Sequence, residues 1–155
     1  MLKSFLTEAD GRRVEACFAR LRHCEVTEWA LTGGVAIELR LMEQGDRVAL
    51  RALNDLDFAT TSFDTVPNTL GTVFLVRHIH PFDPPNKIIA QFISSELALR
   101  VDVFRIDPEV MNRANSVQTE FGATRAVSLD DLVARAARLT FAAGQSATRA
   151  IEARE

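Results

Sequence analysis

The chain has 155 residues, 47% hydrophobic and 25% charged, an ordinary globular balance with enough apolar residues for one domain and a real core. Its net charge of −3 argues against a nonspecific duplex-DNA binder. No run reaches the length of a membrane span, and the opening "MLKSFLTEADGRR" lacks an apolar signal core, so the expectation is a cytoplasmic protein without membrane contact.

In chain order, "RRVEACFARLRH" (12–23) places Val14, Cys17, Phe18 and Leu21 at helical spacing and predicts an amphipathic first helix. Cys17 and Cys24, seven apart in that pattern, read as reduced core residues rather than a disulfide or metal pair. "EVTEWAL" (25–31) alternates like a strand ended by Gly33 and Gly34, with Trp29 as core packing. "VAIELRLME" (35–43) reads as a helix, with strand as the competing reading. "NDLDFAT" (54–60) is a short strand. "TSFDTVPNTLGT" (61–72) mixes turn residues with a helical turn, and "VFLVRHI" (73–79) is apolar enough for a strand or a buried helix. Pro81, Pro84 and Pro85 make "HPFDPPN" (80–86) a loop. "KIIAQFIS" (87–94) and "LALRVDVFRI" (97–106) are strands joined as a hairpin, and a short helix fits 107–117. "SLDDLVARAARLTFAAGQ" (128–145) is a helix with Ser128 as N-cap and Asp131 at the capping-box position. No repeat, low-complexity segment or linker interrupts this order of helices and strands, so a single α+β or α/β domain follows.

The chemistry lies where glycine and aspartate stand in apolar surroundings. Alternate residues of a strand share a face, so Asp55 and Asp57 project side by side while Leu56 and Phe58 face the core. Two adjacent carboxylates repel unless a positive charge lies between them. Magnesium suits that position, since it takes one or two carboxylates plus substrate phosphates. "LRVDVF" offers a third, Asp102, if its strand pairs beside the first. Three carboxylates around two magnesium ions, with manganese as the alternative, fit an in-line phosphoryl displacement. A strand turning into a helix through Gly33–Gly34 aims free backbone N–H groups at an anion. Arg47 and Arg51, just before the acidic strand, add side-chain charge.

This order of motifs resembles the nucleotidyltransferase superfamily with the DNA polymerase beta-type fold. The branch it most resembles is the minimal one of AbiEii-type abortive-infection toxins and similar stand-alone nucleotidyltransferases. "GGVAIELRL" resembles that branch's glycine pair, "RALNDLDF" its arginine followed four residues on by Asp-x-Asp, "LRVDVF" its third-carboxylate strand, and "VSLDDLVARAARL" its late helix. The resemblance runs over about residues 25–140. It implies an α+β, mixed-sheet single domain flanked by helices, covering residues 1–155. It implies transfer of a nucleoside monophosphate from an NTP to a hydroxyl acceptor, which in such families is a small molecule, an RNA end or a protein side chain. By carry-over Asp55, Asp57 and Asp102 are catalytic and hold metal, with Asp102 also helping to deprotonate the acceptor. Gly33 and Gly34 line the triphosphate, with Arg51 beside them. A toxin–antitoxin or phage-defence setting would go with that branch.

The pattern departs from the family in places. Gly34 stands where many members have a phosphate-touching serine, so Thr32 substitutes only if it faces inward. Leu53 replaces a common Ser or Thr, and Ala136 replaces a lysine, with Arg135 and Arg138 nearby. The chain also ends soon after the late helix, so a second subunit or partner protein would complete the site. These departures keep open a catalytically weak relative that binds a nucleotide or a partner protein and regulates it, and an interaction domain with no ligand. His78, His80 and Asp83 suggest a second metal site, but their proline-rich setting favours plain loop or a flap over the nucleotide, with Lys87 near a phosphate. Arg135, Arg138 and Arg149 read as a solvated helix face, with an RNA contact as the alternative.

Overall fold

The computed structural model describes residues 5–26, 28–46, 48–50, 52–79 and 89–152, with the side chains of 77–79, 89 and 145–152 outside that description. Seven strands form one mixed sheet, in the spatial order β3-β4-β5-β2-β1-β7-β6. They are β1 (Ala30–Thr32), β2 (Asp55–Thr60), β3 (Leu75–Ile79), β4 (Ile89–Ser94), β5 (Leu99–Arg105), β6 (Asn115–Thr119) and β7 (Gly122–Ala126). The helices are α1 (Glu8–His23), α2 (Gly33–Glu43), α3 (Leu70–Val73), α4 (Pro108–Arg113) and α5 (Leu129–Glu152).

Helix α1 starts four residues before the expected start at Arg12, because Thr7 caps it: its hydroxyl accepts from the Asp10 N–H at 3.1 Å. It ends where Glu25 enters the left-handed region at φ 59°, letting the Val26 N–H reach back to the Leu21 carbonyl at 3.1 Å. That helix terminus uses up residues expected to be strand, and β1 is only Ala30–Thr32. Val14, Cys17, Phe18 and Leu21 of α1 are buried, as their spacing predicts. Phe18 meets Phe58 edge-on at 6.2 Å between ring centroids, and Trp29 lies against both Phe58 and Phe92. Both cysteines are free and buried, and burial pushes the Cys17 thiol up to about 12.

The central strands carry the register that matters. β1 runs antiparallel to β2 with Thr32 opposite Asp57. β2 runs parallel to β5 with Asp55 opposite Arg100 and Asp57 opposite Asp102. β4 and β5 form the expected hairpin, with Gln91 opposite Asp102.

Of the two readings of 73–79 the strand holds, over Leu75–Ile79 at one sheet edge, with Leu75 and Val76 exposed, while Val73 ends α3. At the other edge, β6 and β7 form a hairpin that hydrophobic patterning does not signal, since Val117 is the only apolar residue of "NSVQT". Arg40 of α2 ties that edge to the rest of the molecule. It is buried, and its guanidinium donates to the Ala126 carbonyl at 2.7 Å and the Val127 carbonyl at 3.2 Å, and to both oxygens of Asn115. Helix α5 opens as its sequence predicts: Ser128 accepts from the Asp131 N–H at 3.3 Å, and Arg113 grips the Asp131 carboxylate at 2.6 and 2.9 Å. It runs to Glu152, so the polar tail after 145 extends the helix, one of the two readings open for it. Among the described residues no helix is long and apolar enough to cross a membrane.

Candidate active site

The glycine pair that opens α2 and the two aspartates that share a face of β2 meet at one point. Gly33 is the first residue of α2 and has φ +68°, a region costly to residues with a side chain. A Cβ placed there would lie 2.0 Å from Asp57 Oδ2 and 2.8 Å from Asp57 Cβ. The Asp57 carboxylate therefore rests directly on the Gly33 backbone, in space that any side chain would fill. Thr32 before it is buried with an extended backbone, and its side chain makes no capping hydrogen bond. The first turn of α2 carries no acidic residue. The N-terminal N–H groups of α2 thus meet no carboxylate from their own helix, an arrangement suited to an outside anion.

Parallel pairing of β2 and β5 brings the three aspartates together. Asp55, Asp57 and Asp102 each offer a carboxylate oxygen, all within 4.8 Å of one another. Asp102 is only 4% exposed, and its Oδ1 is buried without a hydrogen-bond partner. An orphaned buried carboxylate oxygen beside two further carboxylates is the donor set of a hard divalent cation. Without one, the charges resist each other. Burial first, then Asp55 and Asp102, push the Asp57 carboxyl up to about 7, against the pull of Arg135 and Arg100. Burial also raises Asp102, with Arg100 opposing it, Asp55 adding to it and Gln91 opposing it.

That shift has a consequence for stability. The Asp57 carboxyl is raised in the folded state from 3.8 to about 7, so between those values the folded metal-free chain holds a proton that the unfolded chain has released. The associated stability is fully present below about pH 4 and lost as the pH rises through 7. Asp57→Asn abolishes this loss. In chelator, the variant is expected to be more stable than wild type by on the order of 4 kcal/mol at pH 8, with the gap closing near pH 4. Urea denaturation across that range checks it, and a pH-independent gap would contradict it.

Two features here were not legible in the sequence. Arg100, half-exposed, pairs with Asp55 across the strands and stands 3.0 Å through Nε from Asp102 Oδ2. The Nε hydrogen has no acceptor aligned with it, so this second contact is Coulombic rather than a hydrogen bond. The parallel register creates the contact with Asp55, and register is not written in either strand alone; the contact with Asp102 follows from the two residues sharing one face of β5. The second feature is a groove of about 460 Å³, lined by Thr32, Phe104, Val110, Arg135, Arg138 and Leu139 among others. Arg135 was expected on a solvated face. It is instead partly buried, with its guanidinium 4.3 Å over the Phe104 ring and its charge felt at Asp57. The groove includes Thr32, which pairs with Asp57 across the strands, and runs out along α5.

Gly33, Asp55, Asp57 and Asp102 thus meet at one place. Gly34 follows in the first turn of α2. Arg51, assigned to the nucleotide from the sequence, lies outside the described residues, as do Arg47, His80, Asp83, Lys87 and the side chain of His78.

No family model matches the sequence, and no curated protein matches it. The fold does have a solved counterpart. A candidate nucleotidyltransferase from Thermotoga maritima, known from a crystal structure, superposes with a TM-score of 0.71 over 97% of this chain and 97% of its own, at 16% sequence identity. At that identity the likeness is one of fold: the chain has a nucleotidyltransferase-like α+β fold, with a mixed sheet flanked by helices. Its acidic cluster can hold a divalent metal.

Proposed function

We propose that this protein is a magnesium-dependent nucleotidyltransferase that moves a nucleoside monophosphate from an NTP to a hydroxyl acceptor. The observation that carries this reading is the seating of Asp57 on Gly33, within 4.8 Å of Asp55 and Asp102 at their carboxylate oxygens. The shared fold supports it. The acceptor oxygen attacks the α-phosphorus, the bond to the bridging oxygen of the β-phosphate breaks, and pyrophosphate leaves with that electron pair. Asp55, Asp57 and Asp102 would hold the cation, magnesium or manganese, which supplies positive charge at the triphosphate. Asp102 is the proposed base that takes the acceptor's proton. The α2 N-terminus at Gly33–Gly34 receives phosphate oxygens on backbone N–H groups, and Arg51 is the proposed side-chain partner. The apolar and basic groove along α5 offers room for the nucleoside or the acceptor.

The finer assignment is to the AbiEii-like, stand-alone branch, acting in the cytoplasm with a partner protein or second copy. The motifs "GGVAIELRL" and "VSLDDLVARAARL" support it. A second reading, a nucleotide- or protein-binding relative without turnover, is favoured by Arg100, whose charge already partly satisfies Asp55 and Asp102.

The test is a transfer assay. Protein with magnesium and each α-labelled NTP is offered RNA, protein and small hydroxyl acceptors, while pyrophosphate release is followed. One acceptor labelled with stoichiometric pyrophosphate establishes the transferase. Magnesium-dependent NTP binding with no label moved to any acceptor supports the regulator.

A further inference from the structure

The carboxylate cluster already contains a cation. Arg100 and Asp102 lie two apart on one face of β5, and the parallel register sets Arg100 opposite Asp55. The guanidinium reaches the carboxylates of both, forming ion pairs with Asp55 Oδ2 and Asp102 Oδ2. Its planar fork suits it to hold two carboxylates at once, where a lysine would serve as a point charge. These are two of the three residues whose oxygens could hold a metal. Asp102 is 5% exposed at its side chain and cannot turn to water, whereas Arg100 is 43% exposed and can swing out.

We propose that Arg100 is a displaceable occupant of the metal site, which couples metal binding to nucleotide binding. In the protein without nucleotide, an entering divalent ion competes with the guanidinium for Asp55 and Asp102. A displaced guanidinium seeks another anion, and the oxygens of an incoming triphosphate offer one in the same place. Metal alone therefore binds weakly, and nucleotide alone finds Arg100 engaged. The two bind together more tightly than either alone, and linkage makes that gain reciprocal. The inference rests on the metal-site reading above, but it concerns a residue that neither the sequence motifs nor the shared fold singled out.

The probe is Mn²⁺, titrated into the full chain by calorimetry and by its magnetic-resonance signal, with and without a non-hydrolysable NTP. Wild type is compared with Arg100→Met, which keeps the apolar stem and drops the charge, and with Arg100→Lys. Without nucleotide, Arg100→Met is expected to bind Mn²⁺ roughly tenfold more tightly than wild type, with Arg100→Lys between them. With nucleotide, the advantage shrinks or reverses. Circular dichroism checks the fold, and if Arg100→Met fails to fold the Arg100→Lys comparison decides. Equal or weaker Mn²⁺ binding by the Arg100 variants would overturn the role of Arg100 while leaving the metal site standing. No Mn²⁺ binding by any of the proteins, with or without nucleotide, would overturn the metal-site reading and the inference with it.

Discussion

Gly33→Ala is expected to lose both stability and ligand binding, far beyond what an alanine in a helix ordinarily does. The new methyl group would sit at φ +68° and 2.0 Å from Asp57 Oδ2, so either α2 or the carboxylate must move. The backbone strain and the overpacking together cost roughly 2–5 kcal/mol. Gly45→Ala is the control. It has φ +89° but nothing within 4 Å of its would-be Cβ, so it carries the backbone strain alone, about 1–2 kcal/mol. The difference between the two variants in urea denaturation isolates the contact with Asp57. Gly33→Ala should also bind metal and NTP at least tenfold more weakly, since a displaced Asp57 leaves the cluster short of a ligand; the strain of one α-helical turn transmits directly into the site. Equal losses of stability in the two variants, with ligand binding intact, would show that the glycine serves the turn and not the carboxylate.

The second large effect is expected of the double variant Asp55→Ala/Asp57→Ala. Transfer should fall by on the order of 10³-fold or more, because two of the three proposed ligands are gone. Folding should survive. The pair contributes no buried apolar surface, and Asp57 is a charge that resists burial above pH 7. Arg100 keeps Asp102 as a partner after Asp55 is removed. A folded, inactive protein is the predicted outcome, assayed by label transfer beside thermal denaturation. A variant that retains wild-type transfer would place the chemistry elsewhere.

The residue types of this site were legible before its geometry was. "NDLDF" and "LRVDVF" each announce a carboxylate in an apolar strand, and the period of two puts Asp55 and Asp57 on one face. Their meeting with Asp102 depended on an assumption, that β2 and β5 are neighbours, which the parallel register meets. The glycine pair signalled an anion-binding turn. Its closer purpose, making room for Asp57, arises between elements more than twenty residues apart and leaves no local mark. Arg100 was invisible for the same reason, since an arginine at a strand start ordinarily faces water. Arg135 shows the converse, a helix arginine read as solvated because such residues usually are, yet drawn over Phe104 by the packing of α5. The β6–β7 hairpin escaped notice because an edge pair with one exposed face needs few apolar residues, and backbone pairing with β1 and the grip of Arg40 hold it instead. At the opposite edge the strand reading of β3 holds and the buried-helix alternative does not, since Leu75 and Val76 are apolar yet exposed.

The central claim is that a phosphate and metal site lies where α2 begins and β2 and β5 meet. Calorimetric titration of ATP, GTP, CTP and UTP into the protein, with and without magnesium, tests it most directly when repeated on Asp55→Ala/Asp57→Ala. Magnesium-dependent binding of at least one NTP is expected of the wild type, and none of the double variant. Failure of a well-folded wild-type protein to bind any NTP in magnesium, or undiminished binding by the double variant, would contradict it.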